Sequence, residues 1–461
     1  MNYFNLLCDV RKNNKDKKFL IINEKVYSYN CIYNEIDNIQ SLLKSNIQCE
    51  GYNILIFSKS FHFQLISFFV SNAFNNVPII CHHSLPYKAL NEIILKNNID
   101  YVISDEKLEF HNEKVINDVS KEIKSIYIYK FNSKEKLLNH KNICFGALTS
   151  GSTNTPKVLY RSYESWTDFF NTQNKIFKID SNSILFINGS LSFTGNLNAI
   201  LSVLYVGGTI VTIENLSPRR WIKSIKDNYV TNIYLIPSKL RLLSQAIEEK
   251  ISNIKSIFVG SELLFNDTAD NLKNNFPESE IILYYGASEL SFITYIPYEE
   301  MKLKPLSVGR PFEGIKVYIK DDFIYVDTKY HICGVEVPYS VKDIGYIDND
   351  GYLFLQGRKE DIINKNGVKI SLLKIEEEIK KIKEVIECAA VYYSNNLNKS
   401  NIAVFIIANE YINKEDIIKK CKENLMPVEI PKEIFFVESL PLNDSGKIDK
   451  KKLKNTLESN L

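Results

Sequence analysis

The stretch 148–162 reads LTSGSTNTPKVLYRS. Thr149, Ser150, Ser152 and Thr153 offer hydroxyl donors, Gly151 lets backbone amides approach an anion, and Lys157 brings positive charge. Such residues at this spacing could hold phosphate. The grammar GxxxxGK[ST] is excluded, because Pro156 precedes the lysine and Val158 follows it. Taken alone, a Ser/Thr/Gly loop is more often a solvated turn, so both readings stand here. The run Cys81-His82-His83 holds metal-ligand residue types. Adjacent residues of an extended segment point to opposite faces and no second ligand cluster follows, so a plain strand end is expected there instead of a metal site.

These residues need a scaffold, and short apolar runs alternating with helical patterns predict α/β layering. Strands are expected at 19–22, 53–57, 77–81 and 101–104, and then at 184–187, 209–213, 232–236, 256–259 and 281–285. Ile32, Ile36, Ile39 and Leu43 share one helix face. Several strands run straight into Gly, Ser or Pro. In open α/β sheets ligands sit at such carboxyl ends, which points to the loops beginning at Gly260 and Tyr285.

From about residue 315 the strands shorten, and Asp348-Asn349-Asp350-Gly351 is a hairpin signal. A charged amphipathic helix at 372–382, strands at 389–393 and 403–408 and a helix at 414–425 predict a small α+β domain. The expectation is a large N-terminal domain of layered α/β subdomains, 1–357, and a small mobile C-terminal domain, 358–461, with a hinge near 358–361.

The chain has 461 residues, 45% apolar and 24% charged, with a formal net charge of +2. Its length calls for more than one core, and its neutral balance gives no electrostatic case for nucleic acid or an anionic membrane. Eight scattered cysteines without a Cys-x-x-Cys pair read as reduced thiols of a cytoplasmic protein. The start lacks a long apolar stretch, and the run 61–74 is broken by His62, Gln64, Ser67, Ser71 and Asn72, so neither a signal peptide nor a membrane span is expected.

Four ordered motifs resemble those of the acyl-adenylate-forming superfamily of acyl-CoA synthetases, nonribosomal-peptide adenylation domains and luciferases. LTSGSTNTPK resembles its phosphate loop, and Tyr284-Tyr285-Gly286-Ala287-Ser288-Glu289 its Tyr-Gly-x-Thr-Glu motif, with Ser288 in the threonine position. Gly357-Arg358-Lys359-Glu360-Asp361, with Gly367 and Ile375-Glu376 beyond it, resembles the hinge and the segment that follows. The stretch 440–448, LPLNDSGKI, resembles the catalytic-lysine motif. Gly260-Ser261-Glu262, Ser307-Val308-Gly309-Arg310-Pro311 and Asp343 before Gly345-Tyr346 fall in order between them.

The resemblance implies ATP- and Mg²⁺-dependent activation of a carboxylic acid as its AMP ester, with pyrophosphate release. The acyl group then passes to a thiol, on CoA or on the phosphopantetheine of a separate acyl or peptidyl carrier protein. Two anions must be pushed together, so preorganised donors and cations are what the chemistry needs. By resemblance 149–157 binds the β and γ phosphates, Ser288 donates to the α-phosphate, and Glu289 holds Mg²⁺. Gly260, Ser261, Glu262, Tyr284, Tyr285, Gly286 and Ala287 surround the nucleotide, and Asp343 and Arg358 contact ribose. Lys447 bridges carboxylate and α-phosphate. The small domain swings at Glu360, where Asp is commoner, and brings Gly367 to the thiol channel.

Phe193, Thr194, Asn196, Leu197 and Val308 are expected to line the acid pocket. Phe193 stands where many relatives have histidine, and no acidic residue occurs between Gly189 and Glu214 to pair with a substrate ammonium. An aryl or acyl acid is therefore favoured over an amino acid. The segment is most similar to the succinylbenzoate-CoA ligase branch. Two glycines usual in the phosphate loop are replaced, by Asn154 and Val158; the backbone at Val158 is either ordinary β or the loop is stiffer than its relatives. A non-catalytic nucleotide-binding scaffold is the alternative of another class.

Overall fold

The computed structural model describes residues 1–47, 50–111, 113–131, 142–149, 156–358, 362–365, 368–394, 400–408, 412–441 and 448–459. The chain divides into two compact units: Met1–Lys316 with Val326–Tyr339, and Val317–Tyr325 with Ser340–Leu461.

The first unit holds two sheets. One runs Glu113–Asn117, Ser125–Lys130, Tyr101–Ser104, Asn53–Phe57, Val77–Cys81, Ile143–Thr149, Lys157–Ser162, with its four inner strands parallel except for antiparallel partners at the edges. The other runs Ser307–Pro311, Ser291–Pro297, Glu280–Ala287, Ser256–Val259, Asn232–Tyr234, Ile184–Ile187, Thr209–Thr212, Lys18–Ile22, Lys25–Ser28. From Glu280–Ala287 to Lys18–Ile22 its strands are parallel. Parallel strands are covered on both faces, which is why they read as unbroken apolar runs.

Two helices, Phe61–Ala73 and Thr194–Val206, are buried on nearly every side. The polar residues that interrupt the first are partnered within the fold. Gln64 donates to the Ser58 carbonyl at 2.7 Å and accepts from Leu191 N at 2.8 Å, and Asn72 donates to the Cys144 carbonyl at 2.7 Å. Buried polar groups need such partners. Among the described residues no helix is long and apolar enough to cross a membrane.

In the second unit, Gly351 N donates to the Asp348 carbonyl at 3.0 Å and closes the hairpin of Asp343–Ile347 and Leu353–Arg358. Val385–Ser394 pairs antiparallel with Ser400–Ala408, which pairs parallel with Glu433–Phe436. Alternation sorts their side chains between two cores. Cys388, Ala390, Ile402, Val404 and Ile406 face helices Leu372–Lys380 and Lys414–Asn424, whereas Ala389, Val391, Tyr393, Ala403 and Phe405 face Lys450–Ser459.

The fold is thus the expected α/β unit with a smaller α+β unit. The strand expected at 232–236 stops at Tyr234, because Ile236 caps a helix that opens on Pro237. Helix Tyr3–Asn14 was not legible, since only Tyr3, Leu6 and Leu7 of it are buried.

Candidate active site

Thr149 and Lys157 are register partners at the end of an antiparallel pair. Ser150, Gly151, Ser152, Thr153 and Asn154, between them, lie outside the described residues. Asn97 fixes the outgoing strand, accepting from Val158 N at 3.0 Å and donating to the Pro156 carbonyl at 3.2 Å. Val158 is ordinary β structure, paired with Leu148. Its side chain fills space above Gly146, where an added Cβ would stand 2.5 Å from Val158 Cγ1. A side chain at 158 is therefore matched by a glycine on the neighbouring strand.

Helix Thr194–Val206 starts where strand Ile184–Ile187 has ended, and it places Thr194 Oγ1 3.4 Å from Ser288 Oγ. The segment expected at the acid and the serine expected at the α-phosphate thus meet. Phe193 is half-buried at the helix N-cap; Asn196 and Leu197 are buried, and Asn196 donates to the Ser190 carbonyl at 2.9 Å. Val308 is buried, and its carbonyl accepts from the Thr294 hydroxyl at 2.6 Å. Glu289 follows Ser288. Its carboxylate is half-buried and makes no ion pair among the described residues, while its carbonyl accepts from Ile332 N at 2.9 Å. A carboxylate with hydroxyls nearby is a donor set that suits a hard cation such as Mg²⁺.

Gly260 and Ser261 follow strand Ser256–Val259, Ser261 with φ +73, and Ser261 and Glu262 are exposed. Tyr284 is packed as core: its hydroxyl is 2.8 Å from that of Tyr234, and its ring lies where a Cβ on Gly260 would have to be. Burial raises its phenol well above the ordinary value. Tyr285, Gly286 and Ala287 complete the strand, with a bulge between Tyr285 and Gly286. In the second unit, Asp343 and Arg358 are register partners. Glu360, Gly367 and Lys447 lie outside the described residues.

The arginine inside the quoted loop stretch was assigned no role from sequence. Arg161 is fully buried; it donates to the Ser288 carbonyl at 2.7 Å, the Tyr330 carbonyl at 3.1 Å and Ser165 Oγ at 3.3 Å. Burial lowers its pKa to about 10, with Glu289 among the charges acting the other way. A charged residue at a core-facing strand position was the available signal. The His82 and His83 rings do not point to opposite faces but lie 4.7 Å apart, because the strand ends at Cys81 and the chain turns. Among the described residues no group of three His, Cys, Asp or Glu side chains could hold a metal.

Layered parallel sheets, an antiparallel pair flanking residues 150–155 and a Ser-Glu pair at a strand end define a protein of the adenylate-forming fold. The chain belongs to the AMP-binding enzyme family: residues 9–326 match the AMP-binding enzyme and 374–447 the AMP-binding enzyme C-terminal domain. It is 30% identical over 330 residues, 68% of each chain, to the uncharacterized acyl–CoA ligase YhfT of Bacillus subtilis. It is 26% identical over 458 residues to the D-alanine–D-alanyl carrier protein ligase of Staphylococcus epidermidis, covering 91% of this chain and 93% of the relative. Its fold is similar to that of o-succinylbenzoate CoA synthetase (MenE) from Bacillus subtilis in complex with the acyl-adenylate intermediate, with a TM-score of 0.84, 17% identity and 98% of each chain covered.

Proposed function

We propose that this chain is a cytoplasmic AMP-forming acid–thiol ligase that uses ATP and Mg²⁺. The observation that carries this reading is the meeting of Thr194 and Ser288 at 3.4 Å, next in sequence to Glu289, whose carboxylate makes no ion pair among the described residues. It supports a place where a carboxylate and an α-phosphate are held together.

In the first step a carboxylate oxygen bonds to the α-phosphorus, the bond to the β-phosphate oxygen breaks, and pyrophosphate leaves. Residues 149–157 hold the departing phosphates, and Ser288 donates to the α-phosphate. Glu289 holds Mg²⁺, which offsets phosphate charge when bound. Glycines 260 and 286, Ser261, Glu262, Ala287 and Tyr285 surround adenine and phosphates, with Tyr284 as the buried support behind them. Asp343 and Arg358 contact ribose from adjacent strands. Lys447 bridges the two reacting anions. In the second step a thiol sulfur bonds to the acyl carbon, the acyl–oxygen bond breaks and AMP leaves, after rotation at Glu360 has withdrawn Lys447 and presented Gly367.

The acceptor is CoA, in keeping with the acyl–CoA ligase relative; the carrier-protein ligase relative makes a separate carrier the competing acceptor. The test is acid-dependent exchange of labelled pyrophosphate into ATP across a panel of acids, followed by CoA or a phosphopantetheine-loaded carrier. Exchange with at least one acid is expected. ATP binding without exchange for any acid would favour a non-catalytic scaffold.

A further inference from the structure

The connection 188–197, which leads from strand Ile184–Ile187 into helix Thr194–Val206, is met by basic groups from two other parts of the first unit. Lys239 stands in the first turn of helix Pro237–Ala246, and its Nζ donates to the Asn188 carbonyl at 2.9 Å. Gly189 has φ +130, and a Cβ placed on it would stand 3.3 Å from Lys239 Nζ and 3.0 Å from Asn196 Nδ2. The bare backbone at Gly189 therefore lets two N–H-bearing groups approach it more closely than a side chain would allow. His82, which follows strand Val77–Cys81, also meets this connection, with its ring 5.5 Å from that of Phe193 and 4.7 Å from that of His83.

No carboxylate pairs with Lys239 among the described residues, and burial lowers its ammonium to about 8. His82 is also lowered, by burial first and then by the charges of His83 and Lys239. An ammonium has three donors and, among the described residues, one is used, on a neutral carbonyl. Charge drawn out of water without a counter-charge is costly, and an arriving anion offsets that cost with charge-assisted hydrogen bonds.

We infer that Lys239, with His82 beside it, binds a second anionic group of the acid substrate, so the acid carries a distal carboxylate or an equivalent anion. This rests on the proposed ligase function. The reacting carboxylate lies by Thr194 and Ser288, and the second group lies by Gly189 and Asn188, at the other end of one short connection. An acid with an anion at each end spans it.

The test pairs each dicarboxylic acid with its monocarboxylic counterpart: glutarate with pentanoate, adipate with hexanoate, phthalate with benzoate. Pyrophosphate exchange and the acid-induced rise in Tm are measured on wild type, Lys239→Met and Lys239→Arg. Wild type is expected to favour one dicarboxylate over its partner at least tenfold in kcat/KM. Lys239→Met should lose at least ten times more on the dicarboxylate than on the monocarboxylate, and Lys239→Arg should recover most of that loss. Equal losses on both acids would make Lys239 a structural tie to Asn188 and overturn the inference. Wild-type preference for monocarboxylates, or an effect confined to the KM of CoA, would overturn it as well. If no acid supports exchange, the ligase reading has failed; a dicarboxylate-specific Tm rise absent from Lys239→Met would still uphold the anion subsite, and no such rise would remove it.

Discussion

The Arg161 guanidinium donates to the Ser288 carbonyl oxygen at 2.7 Å, across 127 residues of sequence. It ties strand Lys157–Ser162 to the turn that carries Ser288 and Glu289. Arg161→Met leaves the carbonyls of Ser288 and Tyr330 without these donors in a buried place, and a loss of about 2–3 kcal/mol is expected. Arg161→Lys keeps the charge but not the fork. As a positioning residue, Arg161 should act on kcat: the lysine variant is expected to lower exchange at least tenfold with the KM for acid within about threefold. A rise in acid KM at unchanged kcat would refute this role.

Gly146 and Val158 form a matched pair, and the pair can be exchanged. Gly146→Ala drives a methyl into Val158 Cγ1 and Ile79 Cγ1, at 2.5 and 2.9 Å, and should lower stability by about 1–3 kcal/mol. Val158→Gly should also destabilise, through lost packing and backbone freedom. The double variant is expected to lose less than the two single losses added together, as a denaturation double-mutant cycle would show. Strict additivity would mean that the two sites do not share this space.

Glu377, buried in helix Leu372–Lys380, has its carboxyl raised to about 7 by burial first, with Glu378 and Glu376 adding to it and Lys381 opposing it. Between the ordinary value of 4.5 and 7 the folded chain holds a proton that the unfolded chain has lost. Stability from this group therefore falls as pH rises through that window, by at most about 3 kcal/mol. Hydrogen exchange in this helix should be faster at pH 7 than at pH 5 after correction for intrinsic rates. Glu377→Gln should flatten the difference.

Two substitutions separate the half-reactions. Lys447→Ala should abolish adenylation yet largely spare thiol transfer from a supplied acyl adenylate, and equal loss of both steps would rule out the swinging-domain account. Glu289→Gln should raise the Mg²⁺ concentration needed for half-maximal exchange. Unchanged exchange kinetics would show the metal to be held elsewhere.

The sequence by itself determined what is local. Unbroken apolar runs marked the parallel strands, and Asp348 to Gly351 marked a hairpin. Such features are legible because each depends on backbone period and on residues a few positions apart. Only the tertiary structure decided which groups face one another. Nothing near Arg161 announces Ser288, nothing near Lys239 announces Gly189 or His82, and Val158 looks anomalous without Gly146, on the neighbouring strand, to make room for its side chain. Tyr284 and Tyr285 read as equivalent neighbours until the Tyr284 ring was seen over Gly260. Burial, counter-charge and steric fit are properties of pairs brought together by sheet register and helix packing, so a period-based reading shows that a residue is unusual while the fold shows what it meets.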